Sequence, residues 1–187
     1  MNKLLSCILV LSCLYISCLG SLTYDYTKQI LSFGPRPAIS SSNGLKKTRE
    51  YIINVLKNLN FTVTLNTFEQ DTPLGKTSFT NIIADYKIQF NKKKLILSAH
   101  YESKFEKDIL FVGATDAACP CGMVLELAAF INQQIQTGKW KNPSVDYQLV
   151  FFDGEEAMSS FNDKDGLYGS KHLAAQWDQQ VSPKFKN

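Results

Sequence analysis

The sequence has few cysteines, very few arginines and little net charge. Its 187 residues include 5 cysteines, three of them at positions 7, 13 and 18. Lys and Arg together number 20, only two of them Arg, and the formal net charge is +3. Basic residues with interleaved aromatics do not form a stripe, so a nucleic-acid partner is not expected. With so few cysteines, a hydrophobic core must hold the fold.

The first 20 residues have the pattern of a secretory signal peptide. Lys3 gives a short basic start, an apolar run extends from Leu4 to Ile16, and Gly20 is a small residue near the expected cleavage point. The run is short for a membrane span, and a retained N-terminal anchor is the alternative. We expect a signal peptide over 1–20, a domain over 21–180 and a loose polar tail over 181–187. The mature protein is expected to be secreted or in the secretory pathway, monomeric, and not in a membrane.

Two further features depend on that location. Cys119 and Cys121 remain after cleavage. A bond between them would be strained, and zinc ligation would need two more ligands, so we favour two small buried thiols. Asn60 opens the sequence Asn60-Phe-Thr62, which is a glycosylation acceptor in the secretory pathway.

Hydrophobic periodicity predicts that helices and strands alternate along the rest of the chain. The predicted helices are Tyr24–Phe33, one that begins at Asn43, Val124–Gln134, and Gly169–Gln179. The predicted strands are Phe61–Phe68, Phe79–Ile88, a buried strand Leu95–Ala99 that ends at His100, and a central strand Gln148–Phe152. Within the third helix, Leu125 and Leu127 are both expected to face inward. This order predicts a three-layer α/β/α sandwich around a mixed central sheet.

The central strand is followed by Asp153-Gly154 and then by two adjacent carboxylates, Glu155 and Glu156. Its nearly continuous apolar run suits a strand covered on both faces, and Gly154 permits a sharp turn. Open α/β sheets bind ligands just beyond the carboxyl ends of their strands. One carboxylate on such a turn can bind a cation while its neighbour moves a proton. A polar turn that happens to be acidic is the alternative interpretation.

His100 and Asp116 also end apolar segments of the sequence. Imidazole and carboxylate groups are both suitable zinc ligands and proton carriers. The chain contains 2 histidines, and the other, His172, is expected to be structural because it lies in the middle of a helix. His100 is therefore the better-placed imidazole for a cation that Asp116 and Glu156 would bind.

Several segments together resemble the glutaminyl-peptide cyclotransferases, or glutaminyl cyclases, which are single-zinc relatives of the two-zinc aminopeptidases. The segments are His100-Tyr-Glu-Ser-Lys104, Phe111-Val-Gly-Ala-Thr-Asp116-Ala117, Met123-Val-Leu-Glu-Leu-Ala128, Phe151-Phe-Asp-Gly-Glu-Glu-Ala157 and Leu167-Tyr-Gly-Ser-Lys-His-Leu-Ala174. Phe33-Gly-Pro-Arg-Pro37 is also similar to an early loop of the family. The resemblance implies a secreted zinc acyltransferase that converts the N-terminal Gln of peptides or proteins to pyroglutamate and releases ammonia.

The resemblance also implies roles for individual residues. Asp116 and Glu156 would be ligands of a single Zn²⁺, and Glu155 would be the general acid/base. Phe161 stands near a tryptophan of the family's substrate pocket. His100 corresponds to a histidine that binds a second metal in the aminopeptidases and is not a ligand in the cyclases.

The sequence departs from the family pattern in several ways. The family's third zinc ligand is a histidine in its C-terminal half, and no residue here matches it. We therefore expect a fold that is incomplete at the C-terminus, an apolar sheet edge, and a weakly active or inactive chain. Glu102 stands where the family usually has Asp, and Ala99 replaces a Cys that pairs with a partner at Cys121 in some members, so Cys121 should be unpaired. The alternatives are a two-zinc aminopeptidase-like hydrolase, with Glu155 activating water, and a non-catalytic fragment.

Overall fold

The computed structural model describes residues 22–39, 41–86, 93–141 and 143–181. The predicted signal peptide over 1–20 and, apart from Val181, the predicted tail lie outside the described residues. The helices are α1 (22–31), α2 (Asn43–Asn58), α3 (Cys119–Gln136) and α4 (Tyr168–Val181). The strands are β1 (Thr62–Thr72), β2 (Gly75–Tyr86), β3 (Lys94–His100) and β4 (Asp146–Phe152), and an irregular helical segment, Ala114–Ala118, leads into α3.

Helix α2 begins and packs as its sequence predicts. The side chain of Ser42 accepts a hydrogen bond from the amide of Leu45 at 3.2 Å, which satisfies one of the free amides at the helix start. Leu45, Ile52 and Leu56 recur at helical spacing and are all buried, so this face of the helix packs on the core. Lys57 lies in the last turn, where a positive charge is favourable.

The four strands form one mixed sheet in the order β1-β2-β4-β3. β1 and β2 are an antiparallel hairpin, β2 pairs antiparallel with β4, and β3 pairs parallel with β4. β4 therefore lies inside the sheet, and Leu149, Val150 and Phe151 are fully buried. The prediction of a central apolar strand at this position is confirmed.

Helices cover both faces of this sheet. In β2 the side-chain amide of Asn81 donates to the carbonyl of Gly169 in α4, whereas the hydroxyl of Tyr86 donates to Asn132 in α3. Odd and even residues of a strand face opposite sides of a sheet, so α3 and α4 lie on opposite faces. The predicted α/β fold around a mixed sheet is confirmed.

Helix α3 with the segment before it, Ala114–Gln136, is long and apolar enough to cross a membrane by length and composition alone. The buried central helix of a globular core meets the same criteria. Leu125, Ala128 and Ile131 of this helix are buried in the core. Core packing therefore explains the apolar residues on one face of α3, whereas Met123 and Leu127 of the same helix are exposed.

Two burial predictions are wrong. Strand β3 forms at the expected place, but Leu95 and Ile96 are 47% and 43% exposed because β3 pairs only with β4 among the described strands. Leu127 is 42% exposed, since two residues of helix turn it away from the face that buries Leu125.

The prediction that His172 is structural is consistent with its surroundings. Its ring stacks on Phe68 of β1 with centroids 3.8 Å apart and an angle of 4° between the planes. Phe68 in turn stacks on Phe79 of β2. His172 thus joins α4 to the sheet through an aromatic stack.

Candidate active site

The candidate site lies at the sheet edge where the parallel strands β3 and β4 both end. His100 of β3 is in register with Phe152 of β4, so the residues after each strand begin next to one another. The loop after β3 (101–113) leads towards Asp116, and the turn after β4 carries Glu155 and Glu156. Strand pairing therefore brings together segments that are about fifty residues apart in sequence.

The turn after β4 begins with a buried aspartate. Asp153 is 1% exposed, and its Oδ2 accepts hydrogen bonds from the amide of Thr80 at 2.8 Å and from the hydroxyl of Tyr101 at 3.1 Å. Burial, and then repulsion from Glu102, raise the pKa of Asp153 to about 7 against the opposing bond from Thr80. Gly154 follows with φ of +64°, and a Cβ atom there would lie 2.5 Å from the ring of Phe79. The turn therefore needs glycine at this position.

One buried carboxylate holds the backbone of the acidic pair. Oε1 of Glu102 accepts hydrogen bonds from the amides of Glu155 at 2.6 Å and Glu156 at 3.1 Å. Glu102 is fully buried, and its Oε2 has no hydrogen-bond partner among the described residues. The backbone positions of Glu155 and Glu156 thus depend on a residue of the neighbouring loop.

His100 lies between that carboxylate and Asp116. Its Nε2 is 2.7 Å from Oδ1 of Asp116, and its Nδ1 is 3.4 Å from Oε1 of Glu102 without the alignment of a hydrogen bond. Burial alone would lower the pKa of His100, but Glu102, Asp116 and Glu155 together raise it to about 9. The side chain of Asp116 itself is 66% exposed.

Glu155 and Glu156 are half-buried and electrostatically coupled to Asp116. Burial raises the pKa of Glu155, with His100 opposing and Glu102 and Asp116 adding to the rise. Burial and then Asp116 raise the pKa of Glu156. These carboxyl groups therefore lie close enough to repel one another, which is the condition that a bound cation relieves.

The donor set fits a divalent cation. Ligand atoms of His100, Glu102 and Glu155 all lie within 4.8 Å of one another, and the Nδ1 atom of His100 is buried without a hydrogen-bond partner. Carboxylate oxygens and imidazole nitrogens are the ligands that zinc takes besides thiolates. Asp116 and Glu156 are not in this set of three, although Asp116 contacts His100 directly. Their assignment as ligands stays a prediction.

The loop after β3 is held by a buried arginine. The guanidinium of Arg36 donates to the carbonyls of Tyr101 at 3.1 Å, Val112 at 2.8 Å and Gly113 at 3.3 Å. Ser103 adds to this closure, because its hydroxyl donates to the carbonyl of Phe111 at 3.1 Å and accepts from the amide of Arg36 at 2.9 Å. Both ends of the loop are therefore fixed beside His100.

The remaining predicted residues lie at different distances from this centre. Asn60 is at the far end of the sheet, because its neighbour Asn132 contacts Tyr86, which pairs with the start of β4. Phe161 is 59% exposed in the loop after Glu156, and Asn60 is exposed in the turn after α2. Both cysteines are free. Cys121 is buried and its thiol donates to the carbonyl of His100, while burial raises its pKa well above the usual value. A protonated Cys121 is a structural thiol, as expected, whereas Cys119 is only half-buried.

Sequence reasoning did not find the residues that support the site. In the sequence Glu102 is only a departure from the family pattern, and no local pattern predicts the buried roles of Arg36 and Asp153. A signal for Arg36 was available, since it is one of two arginines in a chain that otherwise uses lysine. Guanidinium is the cation suited to binding several acceptors in a buried site.

Comparison with known proteins identifies the family to which this chain is similar. Residues 81–186 match the model of Peptidase family M28. The chain is 40% identical over 148 residues to a glutaminyl-peptide cyclotransferase of Dictyostelium discoideum, which covers 69% of this chain and 40% of that protein. It is 40% identical over 150 residues to a Bos taurus protein of the same name, covering 76% of this chain and 41% of that protein.

A solved structure shares the fold. The glutaminyl cyclase of Macrostomum lignano superimposes with a TM-score of 0.72 at 33% sequence identity, over 87% of this chain and 49% of that one. The chain thus spans about two fifths of the length of the curated relatives named above.

Proposed function

The chain belongs to Peptidase family M28, and we propose that it is a glutaminyl-peptide cyclotransferase. In the proposed reaction, the α-amine of an N-terminal Gln attacks the carbon of its own side-chain amide. A C–N bond closes the pyroglutamate ring, and the amide nitrogen leaves as ammonia. Support comes from the 40% identity to curated proteins of that name. The residues that match the family model, 81–186, include the candidate site.

The observation that carries the proposal is the position of Glu155. It is half-buried in a turn beside His100 and Asp116, and Glu102 fixes its backbone amide. Burial raises its pKa, which brings the carboxyl group closer to the range where it can both take and give a proton near neutral pH.

Glu155 is proposed to move the proton that the reaction must transfer. It accepts a proton from the α-amine as that nitrogen attacks, and donates a proton to the departing ammonia. Such a proton transfer contributes roughly 10²–10⁴ to a rate. His100, adjacent to both Glu155 and Asp116, is proposed to orient the Asp116 carboxylate through its 2.7 Å contact.

We propose that Asp116 and Glu156 bind one zinc ion. Zinc bound there would polarise the side-chain carbonyl of the substrate. Repulsion between Asp116 and Glu156, which helps to raise the pKa of Glu156, supports a cation at this position. The number of ions and the identity of further ligands are part of the proposal.

The test is to incubate the purified protein with zinc and a peptide that begins with Gln. The expected product is the same peptide lighter by one ammonia, detected by mass spectrometry and by a coupled ammonia assay. The E155Q variant should lower the rate roughly 10²–10⁴-fold. Because Glu155 is also in the donor set that fits a cation, the zinc content of the variant is measured too, and an unchanged content assigns the lost rate to proton transfer. E69Q is the matched control, because Glu69 is an exposed glutamate on β1. A folded, zinc-loaded protein that converts no peptide would contradict the proposal.

An aminopeptidase-like hydrolase is the second candidate. The observation that favours it is the contact of His100 with Asp116, which puts an imidazole where a second ion would need a ligand. The same incubation distinguishes the two, because a hydrolase releases a free amino acid and leaves a shorter peptide. A non-catalytic fragment would give neither product. The prediction of a weakly active or inactive chain is tested by the rate in this assay.

We further propose that the protein is secreted as a monomer and glycosylated at Asn60. Asn60 is exposed, and its side-chain amide donates a hydrogen bond to the side-chain oxygen of Asn132 on the surface at 3.0 Å. Secretion from eukaryotic cells should give a mature protein that begins after Gly20, by N-terminal sequencing. N60Q should abolish the glycosidase-sensitive mass, whereas N58Q, a nearby exposed asparagine outside any acceptor sequence, should not. Size-exclusion chromatography tests the oligomeric state.

A further inference from the structure

The loop that follows the acidic turn is built around one buried aspartate. Oδ1 of Asp165 accepts hydrogen bonds from the amide of Met158 and from the hydroxyl of Tyr168, each at 2.8 Å. Oδ2 accepts from the amides of Ser159 and Ser160, each at 2.9 Å. Asp165 is 2% exposed. A single carboxylate therefore satisfies three consecutive backbone amides that an irregular loop would otherwise leave without partners.

The same loop is bonded to the backbone of Glu155. The amide of Leu167 donates to the carbonyl of Glu155 at 2.8 Å. Gly166, which precedes Leu167, has φ of +110°. A Cβ atom at this position would lie 2.8 Å from the ring of Phe161 and 3.3 Å from the carbonyl oxygen of Glu155. The ring of Phe161 therefore lies against the backbone next to Glu155.

Phe161 combines this fixed position with exposure. One side of its ring packs on Gly166, yet 59% of the residue is open to solvent. The neighbouring residues in the sequence predict neither the position of the Phe161 ring nor its exposure, because Phe161 lies in a loop with turn residues on both sides. The loop that carries Phe161 is the one whose amides bond to the buried carboxylate of Asp165.

We propose that Asp165 is a positioning residue that holds loop 157–167 so that Phe161 forms a wall beside Glu155. The inference rests on the proposed function, since the wall would contact the peptide on which Glu155 acts. Asp165 touches no substrate itself. It acts through the amides of Met158 to Ser160 and through the bond from Leu167 to Glu155.

The first test is amide hydrogen exchange in D165N and in a matched control, D163N. The Asn side chain replaces one acceptor oxygen by an NH₂ donor, which faces the loop amides and loses their bonds. Exchange at Ser159, Ser160 and Leu167 should become about 10-fold faster or more in D165N. Asp163 carries the same charge two residues away and is exposed, so D163N should leave these rates unchanged.

The second test is kinetic and separates positioning from a structural role. D165N should raise KM for a Gln-initiated peptide about 10-fold with little change in kcat. The reason is that the ring of Phe161 would contact the substrate equally in the ground state and in the transition state. F161A should do the same, and the double variant D165N/F161A should be no worse than F161A alone. D163N should keep the wild-type KM.

The outcomes distinguish the inference from the proposed function. D165N with altered thermal stability, but wild-type exchange at Leu167 and wild-type KM, would overturn the inference. If the wild-type protein releases no ammonia, the proposed function fails and the exchange rates decide alone. Faster exchange at Leu167 in D165N, but not in D163N, would then support the positioning role, and equal exchange would overturn it.

Discussion

The two loops that frame the candidate site leave the sheet side by side but are held by buried groups of opposite charge. After β3, the guanidinium of Arg36 donates to backbone carbonyls of residues 101, 112 and 113. After β4, the carboxylates of Glu102 and Asp165 accept from backbone amides. The two arrangements are complementary, because the guanidinium donates to backbone carbonyls and the carboxylates accept from backbone amides.

This difference shows how an irregular loop can be made rigid without secondary structure. A guanidinium offers five donors and a carboxylate about four acceptor sites, so one buried side chain can satisfy several backbone groups at once. Arg36 and Glu102 also attract each other, and Glu102 opposes the lowering of the pKa of Arg36 by burial. Asp116 contrasts with both loops, because its side chain is mostly exposed and contacts His100 alone among the described hydrogen bonds.

Removal of Arg36 should have the largest effect on the free energy of unfolding. R36M leaves several buried carbonyls without donors and removes one of the cations that attract Glu102, so we expect a loss of about 3–5 kcal/mol. R36K keeps the charge but not the planar fork, and should fall between R36M and wild type. Urea unfolding measures the effect, with K46M on the exposed face of α2 as the control. Equal midpoints for R36M and K46M would show that the loop does not depend on Arg36.

Removal of Glu102 should be the next largest effect. E102A leaves the amides of Glu155 and Glu156 without their acceptor, which we expect to lower the free energy of unfolding by about 2–4 kcal/mol. E102Q keeps one acceptor oxygen and should lose about 1 kcal/mol. Urea unfolding of these two variants separates the charge of Glu102, which both variants lose, from the acceptor oxygen and side-chain volume, which only E102Q keeps. If E102Q were as unstable as E102A, the charge of Glu102 and not its acceptor oxygen would hold the turn.

Asp153 should make stability depend on pH. Its folded pKa is about 7, raised by burial and by Glu102, while Arg49, Thr80 and Tyr101 oppose the rise. Because the pKa of Asp153 is raised in the folded state, protonated Asp153 favours the folded state. Its contribution to the free energy of unfolding is fully present below the unfolded pKa of about 3.9 and is lost as the pH rises through about 7. Over that window we expect wild type to lose on the order of 1–3 kcal/mol relative to D153N, which does not titrate.

The measurement for Asp153 is the difference in urea midpoint between wild type and D153N at a series of pH values. Subtracting the two curves removes the titration of all other groups that the variants share. A difference that stays constant between pH 4 and pH 7 (roughly the two pKa values) would mean that Asp153 is ionised throughout.

Asp116 should have the smallest effect on stability. Its side chain is 66% exposed, so D116N should change the free energy of unfolding of the metal-free protein by less than about 0.5 kcal/mol. Zinc affinity by calorimetry should nevertheless fall by about 10–100-fold or more, the range seen even for indirect partners of a metal. D163N is an exposed control that should change neither quantity. Destabilisation of D116N to the extent of E102A would remove the contrast between Asp116 and the two loops.

Much of the fold could be predicted from the sequence because the signals are local. Helical spacing of Leu45, Ile52 and Leu56 predicts α2, and the apolar run before Asp153 predicts the central strand. The side on which β3 is exposed could not be predicted, because strand order decides which strand lies at an edge. The apolar side chains of Leu95 and Ile96 would suit an interior strand as well as this edge strand.

The sequence by itself determined most of the chemical groups at the candidate site, Glu102 excepted. Strand ends and turn residues identified His100, Asp116, Glu155 and Glu156 as neighbours at one sheet edge. Only the tertiary structure decided what holds them, because Arg36, Glu102 and Asp165 act through hydrogen bonds to backbone groups, most of them distant in the chain. Any residue can present a backbone amide or carbonyl, so a contact of this kind leaves no pattern in the sequence.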